Sequence, residues 1–199
     1  MNIEIRRLTQ AEAHPIAALH YSAFKGFFLT SLGQPFLREF YKAVLMHKNG
    51  IGFGAFAGND LVGFAIGTQQ NTGFYSDILK TNGVGLLLKA LLKLIAQPKG
   101  VFRLVKSFGS KVGPTYQHVP MLLSICVDQA KESKGIGKNV LVAFEKELIK
   151  LAYDCLILST DTHDNFYANQ FYHKNNYTFV KSFFQGKREM NLYYKKLIT

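Results

Sequence analysis

The chain of 199 residues is 48% hydrophobic and 19% charged, a balance typical of one globular domain and unlike that of disordered or fibrous chains. Its formal net charge of +11 indicates an anionic partner, such as a polyphosphate, a nucleic acid or an anionic lipid, without choosing among them. No secretory leader or long apolar run is evident, and the two cysteines, Cys126 and Cys155, lie in apolar segments, so we expect a soluble protein in the reducing cytoplasm.

The N-terminal region alternates apolar and polar residues over Asn2–Leu8, which predicts a half-exposed strand. Thr9 and Glu12 have the spacing of a capping box, so a helix is expected to follow and to end at about Phe24. Pro15 is expected to kink or restart that helix, because proline removes a backbone hydrogen-bond donor.

A second helix and a hairpin are predicted next. The apolar segment Phe27–Gly33 is expected to form a loop or a short turn, and apolar residues then recur at helical spacing over Gln34–His47. Two predicted strands, Gly50–Ala57 and Leu61–Thr68, flank the segment Gly58–Asp60, whose composition is typical of a hairpin turn.

A long segment, Gln70–His118, interrupts the strand pattern. We expect a helix over Leu86–Gln97, ended by Pro98, and a short helix over Val101–Phe108. The segment carries seven Lys or Arg residues against one Asp, which accounts for +6 of the net charge. Insertions of this length often form lids or binding segments. A basic helix also suits a membrane surface or an additional packing layer, and the sequence leaves these alternatives open.

The second half of the chain alternates strands and helices. The predicted elements are a strand at Met121–Asp128, a helix at Gly135–Ala152, a strand at Leu156–Thr160, a helix at Asn165–Asn175, and strands at Tyr177–Phe184 and Arg188–Leu197. The full order, β-α-α-β-β-(helical insertion)-β-α-β-α-β-β, predicts a single α/β domain over residues 1–199, with helices on both faces of a central sheet.

The start of the helix at Gly135 has the character of an anion site. The first N–H groups of a helix lack intrahelical partners, and the helix dipole favours negative charge there. Gly135 and Gly137 have no side chain to block an approaching phosphate, and Lys134 and Lys138 add positive charge. The alternative is an ordinary solvated helix start. Neither a Walker loop nor a dinucleotide fingerprint is present.

A second informative segment is the helix that begins near Asn165. Asn165 and Tyr172 are two helical turns apart and share a face, with the small residue Ala168 between them. This spacing predicts a groove for a thin chain, bordered by an amide and a hydroxyl, although Tyr172 could equally be a core residue. The side chains of Asp161–Asp164 are better explained as capping groups than as metal ligands.

Together these segments resemble the GNAT superfamily of acetyl-CoA-dependent N-acyltransferases. The family loop Arg/Gln-x-x-Gly-x-Gly/Ala is matched by Glu132–Gly137, which departs from it by beginning with glutamate. The later pattern Asn-x-x-Ala-x-x-Phe-Tyr is matched by Asn165, Ala168, Phe171 and Tyr172. The element order also fits over the whole chain apart from the insertion. The resemblance therefore implies a mixed, mostly antiparallel sheet with acetyl-CoA as cosubstrate and no metal.

The resemblance also implies roles for individual residues. The pyrophosphate of acetyl-CoA is expected on backbone amides, and its pantetheine arm beside the edge of the fourth strand and the Asn165–Ala168 groove. Tyr172 is expected to protonate the departing thiolate. The residues implied in binding acetyl-CoA are Ile125, Cys126, Val127, Lys134, Gly135, Ile136, Gly137, Lys138, Asn165 and Ala168.

The expected reaction is direct attack of a primary amine of a small molecule on the thioester. Phe27–Gly33 and the insertion weakly resemble acetyltransferases found with bacterial surface-polysaccharide enzymes, which makes a nucleotide-linked amino sugar a plausible acceptor. His118 or a water molecule are candidates for the general base. The alternative is a non-enzymatic basic protein that binds nucleic acid or an anionic membrane. For the enzyme we expect no nucleic-acid partner, and we leave open a peripheral membrane contact through the insertion and a homodimer.

Overall fold

The central sheet carries the architecture. The computed structural model describes residues 2–96, 114–128, 130 and 135–197, and these form a seven-stranded sheet in the order β1-β2-β3-β4-β5-β7-β6. The strands are β1 Glu4–Arg7, β2 Gly50–Ala57, β3 Asp60–Thr68, β4 Met121–Val127, β5 Cys155–Asp161, β6 Thr178–Gln185 and β7 Arg188–Lys196. The helices are α1 Ala13–Ala23, α2 Phe28–Ser31, α3 Gln34–Met46, α4 Phe74–Ala96, α5 Ile136–Lys150 and α6 Phe166–Lys174.

The sheet is antiparallel except at its centre. β1 to β4 form a continuous antiparallel meander, and β5, β7 and β6 form a second antiparallel group. The two groups meet where β4 and β5 run parallel, and only two residue pairs join them, Met121 with Ile157 and Leu122 with Leu158. The predicted α/β fold with a mixed, mostly antiparallel sheet is confirmed, and its two halves share a short seam.

Apolar helix faces cover both sides of the sheet. On one side, α1, α3 and α4 pack on Phe56, Phe64, Ile66 and Cys126. On the other side, α5 and α6 pack on residues of β2 to β5 and of β7. The helical spacing of the apolar residues in α3 and α5 produces these buried faces.

The first helix begins as the sequence predicts and is not interrupted by its proline. Thr9 and Glu12 form the predicted capping box, in which the backbone N–H of Thr9 donates to Oε2 of Glu12 at 2.8 Å. A 3₁₀ turn follows, and α1 starts at Ala13. Pro15 therefore lies in the first turn, where the missing N–H has no intrahelical acceptor. α1 runs from Ala13 to Ala23 as one helix, so Pro15 does not restart it.

The insertion starts with a longer helix than its sequence predicts. α4 begins at Phe74 rather than at Leu86. Its first three turns were not predicted because Gly83 and Gly85 disfavour a helix. The predicted short helix at Val101–Phe108 lies outside the described residues. None of the described helices combines the length and the hydrophobicity needed to cross a bilayer.

A buried polar network ties α5 to the C-terminal strands. The carboxylate of Glu145 accepts a hydrogen bond from the hydroxyl of Tyr177 and another from the ammonium of Lys195, both at 2.7 Å. Glu145 is buried, and Tyr177 packs edge-on against Tyr172, with the ring centroids 5.7 Å apart. The network therefore fixes Tyr177, and Tyr177 in turn supports the ring of Tyr172.

Candidate active site

A cleft opens where β4 and β5 separate. Beyond Leu122 and Leu158 the two strands pair no further, and a cavity of about 300 Å³ lies between them. Among the described strands, none pairs with the edge of β4 that faces β5 from Leu123 onward. Its backbone N–H and C=O groups can therefore pair with an extended chain, as the edge of any open sheet can.

A β-bulge shapes this edge of β4. Ile66 pairs with Ser124 and Gly67 pairs with Leu122, so Leu123 has no partner on β3. Gly67 is required here, because a Cβ on it would collide with the carbonyl oxygen of Met121. The bulge bends the strand and redirects its side chains. Ser124 consequently points toward α3, where it contacts Tyr41.

Two of the three β4 residues predicted to bind acetyl-CoA face the same side of the sheet. Ile125 and Val127 both pack on the α5 side, and Ile125 also lines the cleft. The side chain of Cys126 is buried on the opposite face, with its sulfur 3.9 Å from the carbonyl oxygen of Leu19. Only the backbone of Cys126 can therefore take part in binding along this edge.

The start of α5 lies next to the end of β4. Gly135 is the N-cap and has φ +69°, a left-handed conformation that favours glycine. Ile136 is buried, Gly137 is half-buried and Lys138 is exposed. A Cβ on Gly137 would lie 3.4 Å from Val127 and 3.5 Å from Phe171. Lys134 and Glu132 lie outside the described residues.

Helix α6 supplies one wall of the cleft, which we call the α6 wall and define as Asn165, Ala168, Phe171 and Tyr172. All four line the cavity. The amide nitrogen of Asn165 donates to the Thr160 hydroxyl at 2.6 Å and to the carbonyl oxygen of Asp161 at 3.3 Å. These bonds fix the amide against the end of β5, while its oxygen stays available as an acceptor.

Tyr172 lies at the deep end of the α6 wall. Its ring is buried among Phe171, Tyr177 and Tyr193. Burial raises the pKa of the Tyr172 hydroxyl well above its ordinary value of 10. Its hydroxyl has no hydrogen-bond partner within the described part of the chain. The group is therefore protonated at neutral pH and can donate to an atom placed in the cleft.

The facing wall, which we call the α1–α2 wall, is largely aromatic and consists of His20, Phe24, Phe27, Phe28 and Leu29. At the mouth of the cleft, the Arg188 guanidinium donates two hydrogen bonds to Asp161, one of 2.8 Å from Nε. The same guanidinium lies 5.4 Å from the centroid of the Phe27 ring. Arg188 thus links the end of β5 to the α1–α2 wall across the opening.

The comparisons with known proteins agree with this geometry. Residues 17–177 match the family described as the acetyltransferase (GNAT) family. The chain belongs to the GNAT acetyltransferase family. No curated protein matches the sequence.

Solved structures of other acetyltransferases share the fold of this GNAT protein at low sequence identity. An N-acetyltransferase from Staphylococcus aureus Mu50 has a TM-score of 0.65 at 15% identity, with 100% of each chain covered. PaiA N-acetyltransferase from Thermoplasma acidophilum, solved with coenzyme A, has a TM-score of 0.62 at 16% identity, covering 98% of this chain and 99% of the other. The ribosomal-protein-S18-alanine N-acetyltransferase from Escherichia coli has a TM-score of 0.62 at 12% identity, covering 100% and 96%.

The histidine predicted as a candidate general base of this acetyltransferase does not line the cleft. His118 lies at the surface, outside the cleft, where its Nδ1 is 3.2 Å from the Gln70 amide nitrogen. It is therefore poorly placed to act as the general base. Among the described residues, no group of His, Cys, Asp and Glu side chains could hold a metal ion.

The polar residues of the α1–α2 side are not evident from the sequence alone. His20 lies on the buried face of α1 and lines the cleft. Its Nδ1 is 2.7 Å from the Tyr41 hydroxyl, which donates to Ser124 at 3.2 Å. A histidine on an otherwise apolar helix face was the available signal, but the partners that give it meaning are distant in sequence.

Proposed function

We propose that this GNAT enzyme transfers the acetyl group of acetyl-CoA to the primary amine of a small molecule by direct attack in a ternary complex. The observation that carries the proposal is the separation of β4 from β5 beside Tyr172. It leaves an open strand edge, a cavity and a protonated hydroxyl together in one place. Two solved fold neighbours were obtained with coenzyme A or acetyl-CoA, which supports the choice of cosubstrate.

The pantetheine arm would pair with the open edge at Ile125–Val127, since its amides supply the donors and acceptors that a neighbouring strand would supply. The oxygen of the Asn165 amide would accept from an N–H of the arm, and Ala168 would leave room for it. The pyrophosphate would lie on the backbone amides at 134–138, where the free N–H groups at the start of α5 favour an anion. Lys138 would add its charge there.

Tyr172 would act as the general acid that protonates the departing sulfur. The backbone N–H groups near Cys126 and Val127 would stabilise the developing oxyanion, an interaction type whose loss costs roughly 3–4 kcal/mol in other enzymes. Among the described residues of the cleft, Asp161 is the one carboxylate, and it is held by Arg188. A water molecule is therefore the simplest acceptor for the proton of the amine.

The acceptor is proposed to be a small amine rather than a protein N-terminus, with an amino sugar as one candidate. The aromatic rings of the α1–α2 wall suit a ring-shaped body, because sugar and aromatic rings both stack on such faces. One fold neighbour is named for a ribosomal-protein alanine, but at 12% identity it shares only the fold. A cytoplasmic location, a homodimer and a membrane contact through the insertion stay predictions.

The proposal is tested by calorimetry with coenzyme A and by free-thiol release from acetyl-CoA with a panel of primary amines. Acetyl-CoA is expected to raise the melting temperature by binding the folded state, and duplex DNA at the same concentration is not. If DNA stabilises the protein in a salt-dependent way while coenzyme A produces no heat, the chain is a polyanion-binding protein and the proposal is wrong.

A further inference from the structure

His20 has a buried ring nitrogen to which no described residue bonds. The residue lies in α1, and its ring packs against Phe24 and Tyr41, with centroids 4.6 and 5.6 Å away. Its Nδ1 is 2.7 Å from the Tyr41 hydroxyl. Its Nε2 is buried and has no hydrogen-bond partner in the described part of the chain. Leaving such an atom unpaired is unfavourable, and a bound ligand would supply the missing partner.

The neighbouring hydroxyls decide which ring nitrogen carries the proton. In the arrangement in which the Tyr41 hydroxyl donates to Ser124, 3.2 Å away, its oxygen accepts from His20. Nδ1 is then the protonated nitrogen, and Nε2 carries the lone pair. Burial lowers the pKa of His20 from 6.5 to about 4, so the ring stays neutral at neutral pH. The arrangement therefore presents a hydrogen-bond acceptor that bears no charge.

His20 and Tyr172 line the same cavity from facing walls, and Ser124 and Ile125 of β4 lie in its lining as well. An amine that attacks a thioester needs its own lone pair free, so a protein group that holds the amine must accept from one of its N–H bonds. A neutral imidazole nitrogen does this while stabilising the ammonium form less than a carboxylate would, because it carries no negative charge.

We propose that Nε2 of His20 binds the attacking amine of the acceptor by accepting a hydrogen bond from it. This inference rests on the proposed function and deepens it, because it also defines the class of acceptor. Asp161 is the one carboxylate among the described residues of the cleft and is neutralised by Arg188. A polycationic amine thus finds no unpaired acidic group there. The site favours an uncharged monoamine on an apolar or ring-shaped body that packs on Phe24, Phe27 and Phe28.

The ring tautomer is tested without any substrate. The full chain is labelled with ¹⁵N-histidine, and long-range ¹H–¹⁵N spectra are recorded at neutral pH, with His20→Gln used to assign the signals. Nδ1 is expected to be protonated and Nε2 to be free. Tyr41→Phe removes the acceptor of the Nδ1 proton, so the proton should shift to Nε2. A wild-type spectrum with the proton on Nε2 would overturn the inference.

The binding role is tested by thiol release with benzylamine and spermidine as probes. Wild type is expected to prefer benzylamine. His20→Asn removes the acceptor at the Nε2 position and is expected to lower kcat/KM for benzylamine roughly tenfold, mainly through KM, which is the effect of one lost hydrogen bond. His20→Gln places an amide oxygen near that position and should stay close to wild type. The KM for acetyl-CoA should be unchanged in both variants.

The outcomes distinguish a failure of the role of His20 from a failure of the proposed acetyl transfer. If wild type acetylates benzylamine and His20→Asn does so equally well, the role of His20 is wrong while the proposed function stands. If wild type binds coenzyme A but prefers spermidine, the acceptor class is wrong. If coenzyme A does not bind, the proposed function itself fails. Melting temperatures of the variants show whether each is folded.

Discussion

The two walls of the cleft are built in different ways. The α6 wall comes from one short helix and its N-cap, and its residues share a face because they recur at helical spacing. The α1–α2 wall comes from α1, α2 and their connection, and its polar contacts reach Tyr41 and Ser124, far away in sequence. One wall is thus specified locally and the other by tertiary packing. Different substitutions should therefore disturb binding of the two substrates.

The largest effect is expected from Tyr172→Phe on the α6 wall. The change removes only a hydroxyl that has no partner among the described residues, so the fold and the affinity for coenzyme A should persist. Loss of a general acid typically lowers turnover by ~10²–10⁴-fold. The measurement is single-turnover thiol release, with calorimetry as the control. Because burial raises the pKa of Tyr172 above 10, this group should not make turnover fall between pH 7 and 9. Unchanged chemistry in the variant would contradict the acid role.

The support behind the α6 wall should be the next most sensitive feature. Glu145→Gln leaves the ammonium of Lys195 without its carboxylate in a largely buried site, and breaking a buried pair typically costs about 3 kcal/mol or more. Glu147→Gln on the same helix is the matched control, because its partner Arg7 is more than half exposed and such pairs contribute about 1 kcal/mol or less. Urea unfolding measures both variants. Equal losses would show that burial does not distinguish the two pairs.

The α1–α2 wall should respond to acid instead. Burial lowers the pKa of His20 from 6.5 to about 4, so between these values the unfolded chain binds a proton that the folded chain does not. Stability should therefore fall as the pH drops from about 6.5 to 4 and be unaffected above that range. This contribution is about 2 kcal/mol at pH 5. Unfolding of wild type and His20→Gln at pH 7 and pH 5 measures it, and identical pH slopes would rule it out.

The smallest expected effect concerns the start of α5. Gly135→Ala and Gly186→Ala both place a Cβ at a left-handed position, with φ of +69° and +68° and no atom within 4 Å of the new Cβ. Each should lose about 1 kcal/mol of stability. Only Gly135→Ala should also weaken the binding of coenzyme A, as measured by calorimetry, since Gly186 lies in the β6–β7 turn. Equal affinity in both variants would remove the phosphate role from Gly135.

The sequence predicted most elements and one wall of the cleft, for reasons visible in particular residues. The capping box at Thr9 and the shared face of Asn165 and Tyr172 depend on neighbours within a few positions. The bulge at Leu123 depends on Gly67, and the orientation of His20 depends on Tyr41. Such features are fixed by contacts across the sheet that no local pattern reveals. The early start of α4 was not predicted because a local signal was misleading. Gly83 and Gly85 disfavour a helix, but the packing of Phe74 and Ile78 in the core outweighs that preference.

The two-pair seam between β4 and β5 has a consequence for inhibition. Neighbouring strands in a sheet lie ~4.8 Å apart, and past the seam no described strand lies at that distance on the β5 side of β4. A molecule that imitates a guest strand, with amide groups at peptide-like intervals, would complete the ladder whether or not it carries a nucleotide. Short linear diamides are therefore a starting point for competitive ligands. Their attachment should slow hydrogen exchange along 123–127 and draw the two halves of the sheet into a single cooperative unit.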